Sequence, residues 1–95
     1  MNTLDDPAQP LFGISVAAEL SGTAIQNLRA YERRGLLKPD RTDGGTRRYS
    51  QDDVETLVHI RGLIHDGLNL AGVGRVLELE AEIVRLQAKL VRLSR

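Results

Sequence analysis

The chain has 95 residues, no cysteine, 3 % aromatic residues, and 13 basic side chains against 13 acidic ones. A chain of that size fits one small domain, which buries too little apolar surface to be very stable unless it pairs with something. The missing cysteines exclude disulfide frameworks, thiolate zinc sites and a thiol redox switch, while the scarcity of aromatics leaves an aliphatic core suited to packed helices.

The neutral total hides an uneven distribution. Residues 1–28 carry Asp5, Asp6 and Glu19 and no lysine or arginine. Residues 29–48 carry Arg29, Arg33, Arg34, Lys38, Arg41, Arg47 and Arg48 against Glu32, Asp40 and Asp43, and residues 49–95 are close to balanced. A local basic patch on a neutral body is expected where a surface meets phosphate, although a solvated helix face with incidental arginines gives the same charge pattern.

The opening "MNTLDDPAQP" is acidic, with neither a basic n-region nor an apolar h-region. No run approaches the ~18 apolar residues of a membrane helix, so a soluble, cytoplasmic protein with no membrane partner is expected. Residues 1–12 read as a flexible tail. In "GISVAAELSG", Ile14, Ala17, Ala18 and Leu20 fall on one face of a two-turn helix, with Ser15 as its expected N-cap and Gly22 as its stop. "TAIQNLRAYERRGL" then sets Ile25, Leu28 and Tyr31 at helical spacing, with Thr23 and Gln26 in the arrangement of a capping box. Two short helices joined by a tight glycine turn form a helix-turn-helix, whose second helix can enter a DNA major groove. Its expected exposed positions are Gln26, Asn27, Arg29, Ala30 and Arg33.

Gly35 ends the second helix, Pro39 prevents its resumption, and Asp43-Gly44-Gly45 offers the hairpin turn of a small wing, with Asp-Gly supplying the positive φ angles. Ser50-Gln51-Asp52-Asp53 is another capping signal, followed by a stripe of Val54, Leu57, Val58 and Ile64 toward Gly67. Asn69 is the expected cap of a last helix. There Val76, Leu79, Ile83, Leu86, Leu90 and Leu93 alternate spacings of three and four, the a/d seam of a heptad repeat, with Glu80, Glu82, Gln87 and Lys89 flanking it. One helix cannot bury such a seam. Folding back onto its own domain is one solution, and pairing with a second copy is the one the small size of the rest favours. The organisation is therefore mainly α: a DNA-binding domain over residues 13–68 with a small β-hairpin wing, and a dimerising coiled-coil helix over 69–95.

The segments "ISVAAELSG", "LRAYERRGLL", "RTDGGTRRYS" and "DGLNLAGVGRVLEL", covering roughly residues 13 to 80, resemble the MerR family of winged helix-turn-helix transcriptional regulators. "ISVAAEL", "RRYSQDDVE" and "LNLAGV" are most similar to its heat-shock repressor subgroup, HspR. The resemblance implies a dimeric repressor on a pseudo-palindromic operator of heat-shock or chaperone genes, with a DnaK-type chaperone as a further partner. Ala24 stands where the family usually has Ser or Thr, Asn27 where it has Thr, and Ala30 where it has the first recognition-helix tyrosine. These departures lie on the DNA-reading surface, so no operator sequence carries over.

On this resemblance Arg29 and Tyr31 match helix positions that meet the DNA backbone, and Arg47 and Tyr49 match the wing's Gly-x-Arg-x-Tyr. Arginine suits phosphate because its planar fork donates two hydrogen bonds at once. Both tyrosines could instead serve packing alone. Gln26 and Asn27 are the candidate base readers, since carboxamides pair with adenine in the major groove, although Gln26 could also serve the helix N-terminus. Thr23, Arg33, Arg41 and Arg48 complete the candidate DNA-binding set.

Nothing points to catalysis, a metal or a cofactor. Glu32 is expected to pair with a neighbouring arginine, and His59 and His65 lie six residues apart without a nucleophile or carboxylate cluster. Two other functions share these features: an architectural DNA-binding protein, excisionase-like or nucleoid-organising, and a coiled-coil adaptor whose basic patch meets an acidic protein.

Overall fold

The computed structural model describes residues 6–95 and contains four α-helices and one two-stranded antiparallel sheet. It divides into two compact units, Met1–Gly62 and Leu63–Arg95. Asp5, read as part of the acidic start, lies outside the described residues, as does the rest of 1–5.

Helix α1 spans Ile14–Ser21 and α2 spans Ile25–Arg33. The turn between them is a Schellman motif. Gly22 adopts φ 66°, its N–H donates to the Glu19 carbonyl at 3.3 Å, and the Thr23 N–H donates to the Ala18 carbonyl at 3.1 Å. A second such motif closes α2, where Gly35 at φ 75° donates to Glu32 at 3.0 Å and Leu36 donates to Tyr31 at 2.9 Å. Both stops fall at the glycines expected to make them. The starts differ from expectation. Gly13, not Ser15, is the N-cap of α1, and Ala24 that of α2, neither with a side-chain cap. The Thr23–Gln26 box does not form because Thr23 is still part of the preceding turn. Its N–H is spent on α1, and its hydroxyl donates to the Ser21 carbonyl at 3.5 Å.

Strands β1 (Asp40–Arg41) and β2 (Arg47–Arg48) pair Asp40 with Arg48 and Arg41 with Arg47. The turn lies at 43–45 as the sequence suggests, but only Gly45, at φ 85°, takes the positive angle, which is the position a three-residue hairpin loop requires. Gly45 N–H donates to the Thr42 carbonyl at 2.8 Å, and the Thr42 hydroxyl accepts from the Thr46 N–H at 3.1 Å.

The segment read as a tail is hydrogen-bonded from Asp6 onward. Phe12 and Tyr49 exchange backbone bonds of 2.9 and 2.7 Å, extending the sheet by one bridge, and the Asp52 N–H donates to the Pro7 carbonyl at 3.0 Å. Helix α3 (Gln51–His65) starts on a reciprocal capping box: Ser50 Oγ accepts from the Asp53 N–H at 3.0 Å, and Asp53 Oδ2 from the Ser50 N–H at 2.9 Å.

The buried core of the first unit consists of Ala17, Ala18, Leu28, Tyr31, Leu37, Tyr49, Leu57 and Ile60. Leu20, Val58 and Ile64, expected on buried stripes, are exposed, whereas Ile60, three residues beyond Leu57, takes the inward position. An offset of one residue swings a side chain by about 100° around a helix, enough to move it from core to solvent.

In the second unit, α4 runs from Leu70 to Leu93, and Asn69 Oδ1 accepts from the Gly72 N–H at 2.8 Å as its N-cap. Of its side chains Val73 alone is buried. Arg75 pairs with Glu78 and Arg85 with Glu82, one turn apart on the helix surface.

Candidate nucleic-acid interface

The candidate recognition surface lies on α2. On a helix of 3.6 residues per turn, Gln26, Arg29, Ala30 and Arg33 share one face and Leu28 and Tyr31 the opposite one. The structure follows that division: Leu28 and Tyr31 are buried, Gln26, Arg29 and Arg33 are exposed, and Asn27 is exposed beside them. Since α2 has no side-chain N-cap, Gln26 is not engaged in capping. Its carboxamide faces solvent with both hydrogen-bonding ends available for a base edge.

The cations of residues 29–48 fall into two groups by their pairing. Arg29, Arg33, Arg34, Lys38 and Arg48 make no ion pair among the described residues. Arg34 and Lys38 are exposed but absent from the sequence-derived site, although they belong to the same basic stretch. The Arg48 guanidinium lies against the start of α1, where a Cβ on Gly13 would come within 3.2 Å of Nη1.

Arg41 and Arg47, in contrast, converge on Glu32. Arg47 Nε donates to both carboxylate oxygens at 2.7 and 2.9 Å, and Arg41 Nη2 does so at 3.1 and 3.2 Å. Arg41 Nη1 also donates to the Gly45 carbonyl at 2.9 Å. Glu32, with 16 % of its side chain exposed, thus joins the C-terminal turn of α2 to both strands of the wing. The hydrogen bond to Glu32 holds the Arg47 pKa above its ordinary value, so this guanidinium stays charged. The expected pairing of Glu32 with arginine is present, with partners 9 and 15 residues away.

Three members of the predicted set are enclosed. Thr23 and Tyr31 are buried, and burial raises the Tyr31 pKa. Tyr49 is 0 % exposed, and its hydroxyl has no hydrogen-bond partner among the described residues. Burial first, and the nearby Glu32 carboxylate second, push the Tyr49 phenol up from its ordinary range. A phosphate contact by Tyr49 would require the pocket around its ring to open. Among the described residues no cluster of three or more His, Asp or Glu could hold a metal ion, and no helix is long and apolar enough to cross a membrane.

Residues 12–80 match the model of the MerR helix-turn-helix family of regulatory proteins. The protein described as heat shock protein HspR of Streptomyces coelicolor is 50 % identical over 86 residues, covering 90 % of this chain and 57 % of that relative. The transcriptional regulator GlnR of Bacillus anthracis is 34 % identical over 94 residues, covering 96 % of this chain and 73 % of its own length. Among solved structures, the N-terminal part of the Bacillus subtilis multidrug transporter activator Mta superposes with a TM-score of 0.65 at 29 % identity, covering 87 % of this chain and 88 % of that one. The chain thus spans a little more than half the length of its HspR relative, and it belongs to the MerR helix-turn-helix family of regulatory proteins.

Proposed function

We propose that this protein is a sequence-specific DNA-binding repressor that acts as a homodimer, with Gln26 and Asn27 reading bases and Arg29, Arg33, Arg34, Lys38 and Arg48 holding phosphate. The observation that carries this reading is the exposed face of α2, where an uncapped carboxamide and unpaired arginines stand opposite the buried Leu28 and Tyr31. Phosphate contacts from such arginines fix register, while carboxamides supply sequence discrimination. The likeness to HspR and GlnR supports transcriptional regulation; with it we propose an operator of heat-shock genes and, as an accessory partner, a DnaK-type chaperone. No catalytic role is assigned. The same reading places the protein in the cytoplasm, with its DNA.

Dimerisation is assigned to α4. Its seam residues Leu79, Ile83, Leu86, Leu90 and Leu93 are 43–72 % exposed in the single chain. Beyond Arg75, which pairs with Glu78 on the same helix, charge along the seam is polarised: Glu78, Glu80 and Glu82 are followed by Arg85, Lys89 and Arg92. An antiparallel pair sets the acidic half of one helix beside the basic half of the other. It also places Val76 against Leu93, Leu79 against Leu90 and Ile83 against Leu86 across the two-fold, so that every seam residue is covered. In the same register Glu82 meets Lys89.

The deciding experiment is selection of bound duplexes from a random DNA pool, followed by titration of a selected and a scrambled duplex at several salt concentrations. A selected duplex bound about 10³-fold or more tighter than the scrambled one supports a specific regulator. Equal affinity for both would point to an architectural protein, and no DNA binding at all to the adaptor reading.

A further inference from the structure

We infer that Glu32 determines specificity: its carboxylate sets the position of the wing relative to the recognition helix and restrains two arginines that would otherwise grip phosphate wherever they reach it. The inference rests on the reading of α2 and the wing as one DNA-facing surface.

The wing alone is a weak structure. Each strand has two residues, and a lone two-stranded hairpin is marginally stable in water. Its orientation must be imposed from outside. The Phe12–Tyr49 bridge holds the chain just after β2, and Glu32 ties both strands to α2 through four hydrogen bonds of 2.7–3.2 Å, two from each strand, all charge-assisted. Arg41 extends the link to the hairpin turn through the Gly45 carbonyl. An exposed pair between long side chains would add little, but this carboxylate is mostly shielded and shared by two guanidiniums, so its geometry is held from two sides.

The same carboxylate also lowers the net charge of the wing. Arg41, Arg47 and Glu32 together carry one net positive charge, not two. Non-specific affinity follows the number of phosphates neutralised, whereas specific affinity requires base contacts and backbone contacts to be met in a single register. Removing the carboxylate therefore moves the two affinities in opposite directions. Two freed arginines can reach phosphate on any duplex, and a wing without its anchor no longer meets the backbone at the place where Gln26 and Asn27 meet their bases. A residue important only for folding would lower both affinities together.

The test uses the full chain with Glu32→Gln, Glu32→Ala and Arg41→Ala, each first checked for wild-type helicity and thermal unfolding. Glu32→Gln keeps the shape and an acceptor oxygen, so it remains informative if Glu32→Ala does not fold. Affinity for a selected and a scrambled duplex is measured from low to moderate salt. For both Glu32 variants, scrambled-duplex binding is expected to hold or rise severalfold, with a salt slope steeper by about 1. Selected-duplex binding is expected to fall about tenfold, so the ratio collapses. Arg41→Ala should lower the ratio too, but with a shallower salt slope, and adding it to Glu32→Gln should lower the ratio little further. A wild-type ratio retained in Glu32→Gln, or equal losses on both duplexes in a folded variant, would overturn the role of Glu32 while leaving DNA binding intact. A wild-type protein that does not distinguish the two duplexes would overturn both readings.

Discussion

From α1 through the wing, the side chains withdrawn from solvent are mostly apolar or aromatic, among them Ala17, Leu28, Tyr31 and Tyr49, with Ser21 and Thr23 buried at the turn between the helices, and the exposed ones include the arginines of α2. Along α4 the relation is inverted: Leu79, Ile83, Val84, Leu86, Leu90, Val91 and Leu93 are all exposed. The first unit completes its core within one chain and leaves its charge for a ligand. The second leaves most of its apolar residues uncovered, although helices in proteins draw most of their stability from packing an amphipathic face. On the proposed function the two units differ in what would complete them: an anion for the first, a second helix for the other.

The largest expected effect bears on the second kind. Replacing Leu86 and Leu90 together by alanine should convert a dimer into a monomer in sedimentation equilibrium. Each leucine lost from a well-packed interior costs roughly 2–5 kcal/mol, and a symmetric interface loses both residues twice. The circular dichroism of α4 should fall with dilution. A dimer of unchanged stability would mean that the seam packs elsewhere and that α4 does not depend on a second copy.

The next effects concern the ligand of the first unit. Gln26→Ala should cost about 1–3 kcal/mol on a selected duplex and leave a scrambled one nearly untouched. Arg29→Ala or Arg33→Ala should weaken both duplexes by similar factors and reduce the salt slope by about 1. These two arginines are cleaner probes of phosphate contact than Arg47, whose Nε is already committed to Glu32. If Arg29→Ala changed only the selected duplex, it would be a base reader and the division of roles on α2 would be wrong.

Helix caps show how much of this was legible in the sequence. Ser50 and Asn69 could be read directly because such caps are local: a short polar side chain bonds a backbone N–H three residues ahead, as both do. Thr23 carried a similar signal and fails, because the Schellman turn at Gly22 takes its N–H first and α2 begins one residue later. Ser50→Ala is accordingly expected to cost about 0.5–2 kcal/mol in chemical denaturation, and Thr23→Ala to show no loss attributable to a cap on α2. The helix order, wing, terminal seam and basic stretch were also readable, since periodicity, glycine stops and charge are properties of contiguous sequence. What stayed hidden was non-local. Nothing between Glu32 and Arg47 announces that they meet, nor does anything near Tyr49 announce that the chain before α1 pairs with it at Phe12.

The smallest effect at neutral pH concerns that tyrosine and separates its packing role from the phosphate role the family resemblance suggests. Its hydroxyl is buried with no partner among the described residues, and an unsatisfied buried polar group costs roughly 1–3 kcal/mol. Tyr49→Phe keeps the ring and removes that group, so stability at pH 7 should be unchanged or raised, and affinity for any duplex unaltered. At alkaline pH the difference should grow. Burial raises the pKa of both Tyr49 and Tyr31 in the folded state, while the unfolded phenols ionise near ~10. The neutral phenol is the form the folded state favours, so stability is complete below pH ~10 and is lost as pH rises from there through the higher folded values. With Tyr49 replaced, only the Tyr31 share of that loss remains, and urea midpoints at pH 8 and pH 11 should differ less than in the wild type. An identical decline in both proteins would show that the Tyr49 phenol is not excluded from water. Loss of affinity for every duplex at pH 7 would show instead that the hydroxyl leaves its pocket to reach phosphate.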